Sequence, residues 1–290
     1  MKYEFHSGRD LCALCSEYGI SLGEVMLRNE MEHSELEREA VIAEMQKNLD
    51  VMRASIESGL DEKNPPKGVF SGGDAIKLLK NAKNSNIGED MSRLVAASMA
   101  VAEVNAAMGK IVAAPTAGAS GILPAILLVC GADRGFSDEQ LCMGLFAAGA
   151  VGCLVAEHAS IAGASGGCQA ETGTAAAMAA AALTELCGGS PEVSLHAAAI
   201  ALKNCLGLVC DPVGGLVECP CVKRNAIGVM NAVLSCDLAL AGITSLIPFD
   251  EVVEAMQSVS SLMHSDLRET AQGGIAASQT AIELSKNIKR

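Results

Sequence analysis

Thr172-Gly173-Thr174-Ala175-Ala176-Ala177-Met178-Ala179-Ala180-Ala181-Ala182-Leu183-Thr184-Glu185-Leu186 carries a single charged side chain, Glu185. Alanine favours the helix, and here it stands on every side of any helix drawn through the stretch. A helix that is apolar all round is covered all round by other helices, and small side chains let those neighbours approach closely. Met91–Met108, Asp138–His158 and Val193–Leu206 have the same character. Loops rich in glycine and proline punctuate them at Pro115–Gly121, Gly163–Gly167, Gly188–Pro191 and Asp211–Gly215. No run sustains period-two alternation, so strands are expected to be few. A last helix is predicted to start near Asp250, with Val253, Met256, Val259 and Met263 on one side.

Before Asp74 the pattern differs. Ser21-Leu22-Gly23-Glu24 has the form of a capping box. Ile42, Met45, Leu49, Met52 and Ile56 then recur at alternating intervals of three and four, one apolar stripe opposite a charged face. Ser21 to Gly59 therefore reads as one long amphipathic helix, or two with a short break. Asp61–Gly73, with Pro65, Pro66, Gly68, Gly72 and Gly73, is a turn-rich connector. The expected fold is mainly α: one domain over residues 1–290, a compact bundle of Ala/Gly-rich buried helices with Gly/Pro-rich loops. An N-terminal amphipathic helical arm (about 1–73) precedes the core (about 74–290).

Composition removes several function classes. The net charge is −13 and the sequence pI about 4.8, which disfavours a nucleic-acid surface or anionic membrane. Aromatic residues are 2% with no Trp, so base-stacking platforms are not expected. Twelve cysteines in a chain of 290 residues that starts Met1-Lys2-Tyr3-Glu4-Phe5-His6 suit a reducing cytoplasm better than a secreted disulfide scaffold. Ile111 to Ala132 holds no charge and is long enough to span a bilayer, but Pro115, Thr116, Ser120 and Pro124 favour buried helix and loop. There is no G-x-x-x-x-G-K-[ST], and no phosphate-cradling glycine run follows Lys110, so neither nucleotide nor pyridoxal phosphate is expected.

Cysteine context is more telling than cysteine number. Cys130, Cys142, Cys153, Cys187, Cys205 and Cys236 lie in apolar helical stretches and read as small packed hydrophobes. Cys12 and Cys15 have a metal-ligand spacing but sit in a segment that can equally be plain helix. Cys168, Cys210 and Cys221 each fall beside glycine or proline, where the backbone is free to bring a thiolate to an inorganic centre. On context alone they are cluster ligands, zinc ligands or structural thiols.

Those three segments also carry a resemblance. Gly166-Gly167-Cys168-Gln169-Ala170-Glu171, Cys210-Asp211-Pro212-Val213-Gly214-Gly215-Leu216-Val217 and Pro220-Cys221-Val222-Lys223-Arg224-Asn225 resemble the iron–sulfur-dependent L-serine dehydratases, as does Lys110-Ile111-Val112-Ala113-Ala114-Pro115-Thr116-Ala117-Gly118-Ala119-Ser120-Gly121. The match is to the α subunit of the two-subunit form and runs over essentially the whole chain. It implies a 4Fe-4S cluster held by Cys168, Cys210 and Cys221, with 41 residues between the first two and 10 between the last two. Three ligands leave one iron open, and an open iron acts as a Lewis acid on the hydroxyl of L-serine while a base takes the α-proton, giving pyruvate and ammonia. The resemblance further implies a β subunit on another chain and sensitivity to oxygen. The chain ends Lys286-Asn287-Ile288-Lys289-Arg290 without the terminal cysteine of single-chain relatives, so solvent, substrate or the partner is expected at the open iron.

The supporting groups keep two readings each. Thr116, Ala117 and Gly118 form either a nest for the substrate carboxylate or a helix-linking loop. Ser71 does likewise, or caps the helix that follows. Arg224 pairs with the substrate carboxylate or with a structural acid. Glu157 and His158, in an otherwise apolar run, are expected to be buried, as a catalytic base and its partner or as satisfied core groups. Rival assignments are another cluster-dependent hydro-lyase and a non-catalytic zinc or regulatory subunit.

Overall fold

The structure is a computed structural model that describes residues 2–288; Met1, Lys289 and Arg290, and so part of the C-terminal stretch discussed above, lie outside the described residues. Helix α1 (Gly8–Tyr18) starts where the Ser7 hydroxyl accepts the Asp10 N–H and ends at Gly19 in the left-handed region, φ 63°. Ser21 caps α2 (Leu22–Ser34) by accepting the Glu24 N–H at 3.2 Å. The reciprocal half of the expected capping box is absent, because the Glu24 carboxylate instead takes Arg28 Nε at 2.7 Å and Arg38 Nη1 at 2.8 Å. Bonds between two ionised groups outcompete a reach back to a neutral N–H. At Glu35 (φ 57°) the arm breaks, and α3 (Arg38–Gly59) begins. The predicted stripe faces inward: Leu49 and Met52 are buried, and Ile42, Met45 and Ile56 are half-buried.

The remaining helices are α4 (Asp74–Lys80), α5 (Glu89–Ala106), α6 (Ile122–Ala125), α7 (Gly131–Arg134), α8 (Asp138–His158), α9 (Gly163–Gly166), α10 (Thr174–Leu186), α11 (Pro191–Lys203), α12 (Cys221–Leu240), α13 (Phe249–Leu262) and α14 (Gln279–Ser285). Helix α10 is the hub, packed by α8, α11 and α12, and every side chain from Ala175 to Ala182 is buried. Its alanines admit close neighbours on all sides, as the sequence implied. One continuous apolar cluster runs from the arm (Leu11, Leu22, Leu49) into the core (Leu127, Ala179, Val253). Gly59 marks where α3 meets α5: a Cβ there would lie 2.4 Å from the Ala100 carbonyl oxygen.

Carboxylates remote in sequence stitch these elements together by accepting N–H groups at helix starts, which have no partner within the helix. Asp250 takes Gly8 N at 2.7 Å, Glu185 takes Leu22 N at 2.7 Å and Gly23 N at 3.1 Å, and Glu103 takes Gly73 N at 3.0 Å and Asp74 N at 2.8 Å.

Several expectations need adjustment. The Gly163–Gly167 loop is mostly the helical turn α9, and Pro191 opens α11 rather than closing a loop. Along α13, Val253 and Met256 are buried and Val259 half-buried, while the buried Met263 lies one residue past the helix end. Helix α14 follows, unforeseen because its seven residues bury only Ala281 and carry no stripe. No strand occurs among the described residues; Cys210 and Arg268 form an isolated parallel bridge. The charge-free run becomes loop, short helices and a π turn. Ala117–Arg134 and Asp138–His158 are long and apolar enough to cross a membrane, yet 61% of the apolar 18-residue window in each is buried inside the protein.

Candidate metal centre

Three irregular turns carry the cysteines, and each turn is held by a specific polar partner. Gly167 adopts φ 75° and lies so close to Leu208 that a Cβ would meet its carbonyl oxygen at 2.8 Å. Gln169, fully buried, fixes this turn by donating to Ser260 Oγ at 2.9 Å and accepting from Gly207 N at 2.8 Å. A π turn, Gln169–Gly173, then presents Cys168, Glu171 and Thr172 together. Cys210 is pinned through its backbone, donating to Leu267 O at 2.8 Å and accepting from Glu269 N at 2.7 Å. Cys221 is the first residue of α12. Asn225, one turn on, donates to both Cys221 O (2.9 Å) and Gly118 O (2.8 Å) and accepts from Gly121 N (3.0 Å), which joins this turn to the Thr116 loop.

All three thiols are buried. The sulfurs of Cys168 and Cys210 and a carboxylate oxygen of Glu171 lie within 4.8 Å of one another. Glu171 Oε2 is 3.8 Å from Cys210 Sγ, and its Oε1 accepts from Thr116 Oγ1 at 2.7 Å. Cys168 Sγ also meets Thr172 Oγ1 at 3.7 Å and the Arg224 guanidinium. Cys221 stands outside the trio but near enough for the charges of Cys168 and Glu171 to act on it.

Burial and one shared hydrogen bond set the protonation pattern. The Cys210 thiol stabilises a Cys168 thiolate, which with help from Arg224 brings Cys168 down to about 7 against desolvation, while Cys210 is driven up. Desolvation pushes Cys221 up to about 12, with the neighbouring negative charges adding to it. Glu171 is likewise raised, by burial first and by the charge of Glu269, against the Thr116 hydrogen bond. Without a compensating positive charge, these groups thus resist carrying more than one negative charge. Soft thiol donors, a carboxylate and a nearby guanidinium in a dry pocket suit a thiophilic metal, whose own positive charge would release these protons.

The remaining predicted residues fall into two sets. Thr116, Ala117 and Gly118 pack against Glu171: Thr116 hydrogen-bonds it, and a Cβ on Gly118 would sit 3.1 Å from its Oε1. Ser71 does hold a carboxylate, that of Glu218, and the cap of α4 is supplied by Glu103 instead. The Arg224 fork is taken by Val209 O at 2.6 Å and Asp211 Oδ1 at 2.8 Å, the structural pairing. Glu157 and His158 are exposed, contrary to expectation. They occupy the last turn of α8 as it leaves the core, and they contact His6 on the N-terminal segment: His6 Nδ1 to Glu157 Oε1 is 2.7 Å, and His158 Nε2 meets His6 O. Cys153 is exposed and Cys187 half-buried, while Cys130, Cys142, Cys205 and Cys236 are buried as read. Sequence reasoning passed over Glu171, although its place three residues after Cys168 puts both on one helical face. It also passed over Gln169, Asp211 and Asn225, each of which has partners remote in sequence.

Comparison with known proteins shows the family of the chain. Residues 17–276 match the sequence model of the family described as Serine dehydratase alpha chain. The chain belongs to this family. It is 49% identical over 286 residues to a probable L-serine dehydratase alpha chain of Bacillus subtilis, covering 98% of this chain and 95% of that one. It is 43% identical over 285 residues to the L-serine dehydratase alpha chain of Peptoniphilus asaccharolyticus, covering 98% of both. An L-serine dehydratase of Streptomyces coelicolor is 39% identical over 292 residues, where the match covers 95% of this chain and 61% of the longer relative.

Proposed function

We propose that this chain is the catalytic α subunit of an L-serine ammonia-lyase, and that Cys168, Cys210 and Cys221 hold a 4Fe-4S cluster with one iron open to substrate. The observation that carries this reading is the convergence of two cysteine sulfurs and the Glu171 carboxylate within 4.8 Å in a buried pocket, with Cys221 beside them, in a serine dehydratase family member. When bound, the cluster supplies Lewis-acid polarisation of the serine hydroxyl, which leaves as hydroxide.

The protein supplies the rest. Arg224, fixed by Asp211, lays a positive charge beside Cys168 and offsets the thiolates. Thr116 orients Glu171 through one oxygen and leaves the other facing the ligand thiols. Burial raises the pKa of Glu171 above the ordinary carboxylate range, which makes its carboxylate a stronger base. Glu171 therefore takes the role of base in place of the exposed Glu157 and His158. Thr116-Ala117-Gly118, lying against Glu171, forms the edge that receives the substrate carboxylate, while Ser71 and Arg224 serve the scaffold. A β subunit on a separate chain supplies what longer single-chain relatives carry in one polypeptide, a reading supported by the 61% coverage of the Streptomyces protein. Twelve cysteines and an oxygen-sensitive cluster suit work in the cytoplasm.

The test is oxygen-free purification with iron and sulfide analysis, followed by a pyruvate assay on L-serine with and without the partner. About four irons and four sulfides per chain are expected, with pyruvate formed from L-serine. A colourless zinc protein, or turnover of a hydroxy-dicarboxylate in place of serine, overturns the reading.

A further inference from the structure

Among the groups around the ligand turns, Glu218 has the most complete and least expected set of partners. It lies between Cys210 and Cys221, in a loop closed by Val213 N donating to Cys219 O at 2.8 Å. Its side chain is only 4% exposed. Its carboxylate fills a nest in the Asp61–Gly73 connector, accepting from Val69 N (2.9 Å), Phe70 N (2.8 Å), Ser71 N (2.9 Å) and Ser71 Oγ (2.9 Å). Successive N–H groups aimed at one point form an anion site, and here the anion belongs to the protein. The nest has no spare room: a Cβ on Gly68 would lie 2.4 Å from Glu218 Oε2. The Glu218 carbonyl in turn accepts Val222 N at 3.0 Å, so the first turn of α12, with Cys221, hangs from this residue. Lys223 fastens the same turn to Asp74 at 2.9 Å.

We infer that Glu218 is a positioning residue for the metal centre, an internal carboxylate that fixes Cys221 by locking the ligand loop to the connector. The inference rests on the proposed role of Cys221 as a ligand. Cys168 is held through Gln169, and Cys210 through its bridge to Arg268; Cys221 has Asn225 behind it and Glu218 in front. Groups just outside a metal's ligands set how firmly those ligands hold, and losing one costs about 10- to 100-fold in metal affinity.

The experiment compares oxygen-free reconstituted parent, Glu218→Gln, Gly68→Ala, Glu185→Gln and Cys221→Ser chains. Iron release into excess chelator is timed by loss of visible absorption, and folding is followed by far-UV circular dichroism. Glu218→Gln turns an amide NH2 toward backbone donors, and Gly68→Ala displaces the carboxylate without altering charge. Both are expected to release iron about 10-fold faster or more while remaining helical. Glu185→Gln, which loosens only the cap on α2, is expected to melt earlier but release iron at the parental rate. Parental release from folded Glu218→Gln and Gly68→Ala overturns the inference. Should either fail to fold, Ser71→Ala decides by deleting one of the four donors: faster release supports the inference, and an unchanged rate overturns it. A parent that takes up no iron, or Cys221→Ser holding iron as the parent does, overturns the ligand reading on which it rests.

Discussion

Cys12 and Cys15 stand in the spacing that metal sites favour, whereas Cys168 and Cys210 are separated by 41 residues; in the folded chain it is the distant pair that meets. The close pair sits within the regular helix α1, where both thiols are pushed up to about 12, chiefly by burial. At Cys15 a backbone hydrogen bond favours the thiolate, but burial and neighbouring negative charges outweigh it. The distant pair comes from two irregular turns, each anchored by buried hydrogen bonds, with Arg224 to balance charge. A ligand set is therefore defined by backbone that can converge and by groups that tolerate ionised sulfur, more than by spacing along the chain.

The sharpest way to break this contrast is to exchange the two sets. Cys168→Ser, Cys210→Ser or Cys221→Ser is expected to abolish bound iron and to lower pyruvate formation by at least about 100-fold, the upper range for damage even outside the ligand shell. Iron analysis and the coupled assay measure both. Equal damage from Cys205→Ser, whose thiol is also buried and also raised, would erase the distinction.

Next in size is Glu171→Gln. Removing a general base costs about 10²–10⁴-fold, so kcat should fall by about 10²-fold or more while iron is retained. The base works only when deprotonated, so parental activity should rise with pH as Glu171 loses its proton. In Glu171→Gln that limb should vanish, and a surviving limb would assign the proton to another group.

How far the sequence led depended on the range of the interaction. Helices α5, α8 and α10 were legible because composition and period are local, and the three cysteine turns because glycine and proline announce irregular backbone. The exposure of Glu157 and His158 was not legible, since an apolar run says nothing of where its last turn leaves the core. Nor was the partner of Ser71. The motif announced a carboxylate site, but Glu218 lies 147 residues away, and only the folded chain brings it there.

Remote carboxylates also set a smaller effect, on stability. Glu185→Ala should cost about 1 kcal/mol through loss of the α2 cap, lowering Tm by about 2–4 °C. The pH dependence has a definite sign. Burial raises the folded pKa of Glu185 above its ordinary 4.5, so between those values the native state binds more protons than the unfolded chain. Its contribution is then greatest below pH 4.5 and declines as pH rises through the raised value. The gap in Tm between parent and Glu185→Ala should accordingly narrow from acid to neutral pH; a gap that widens would mean that the hydrogen bonds from Leu22 and Gly23 outweigh desolvation.

The smallest expected effects return to α1. Cys12, half-buried, should accept serine with a change of about 0.5 kcal/mol or less. Cys15→Ser, at 3% exposure, places a hydroxyl where the thiol packed and should cost about 1–3 kcal/mol unless the hydroxyl finds a backbone acceptor. Neither should alter iron content or the rate of chelator-driven release. Because both thiols are raised to about 12, alkylation with iodoacetamide should also stay slow through pH 9, where an ordinary cysteine is largely ionised. Fast labelling at either position, or loss of iron from Cys12→Ser, would show that close spacing does build a metal site in this chain and that packing had concealed it.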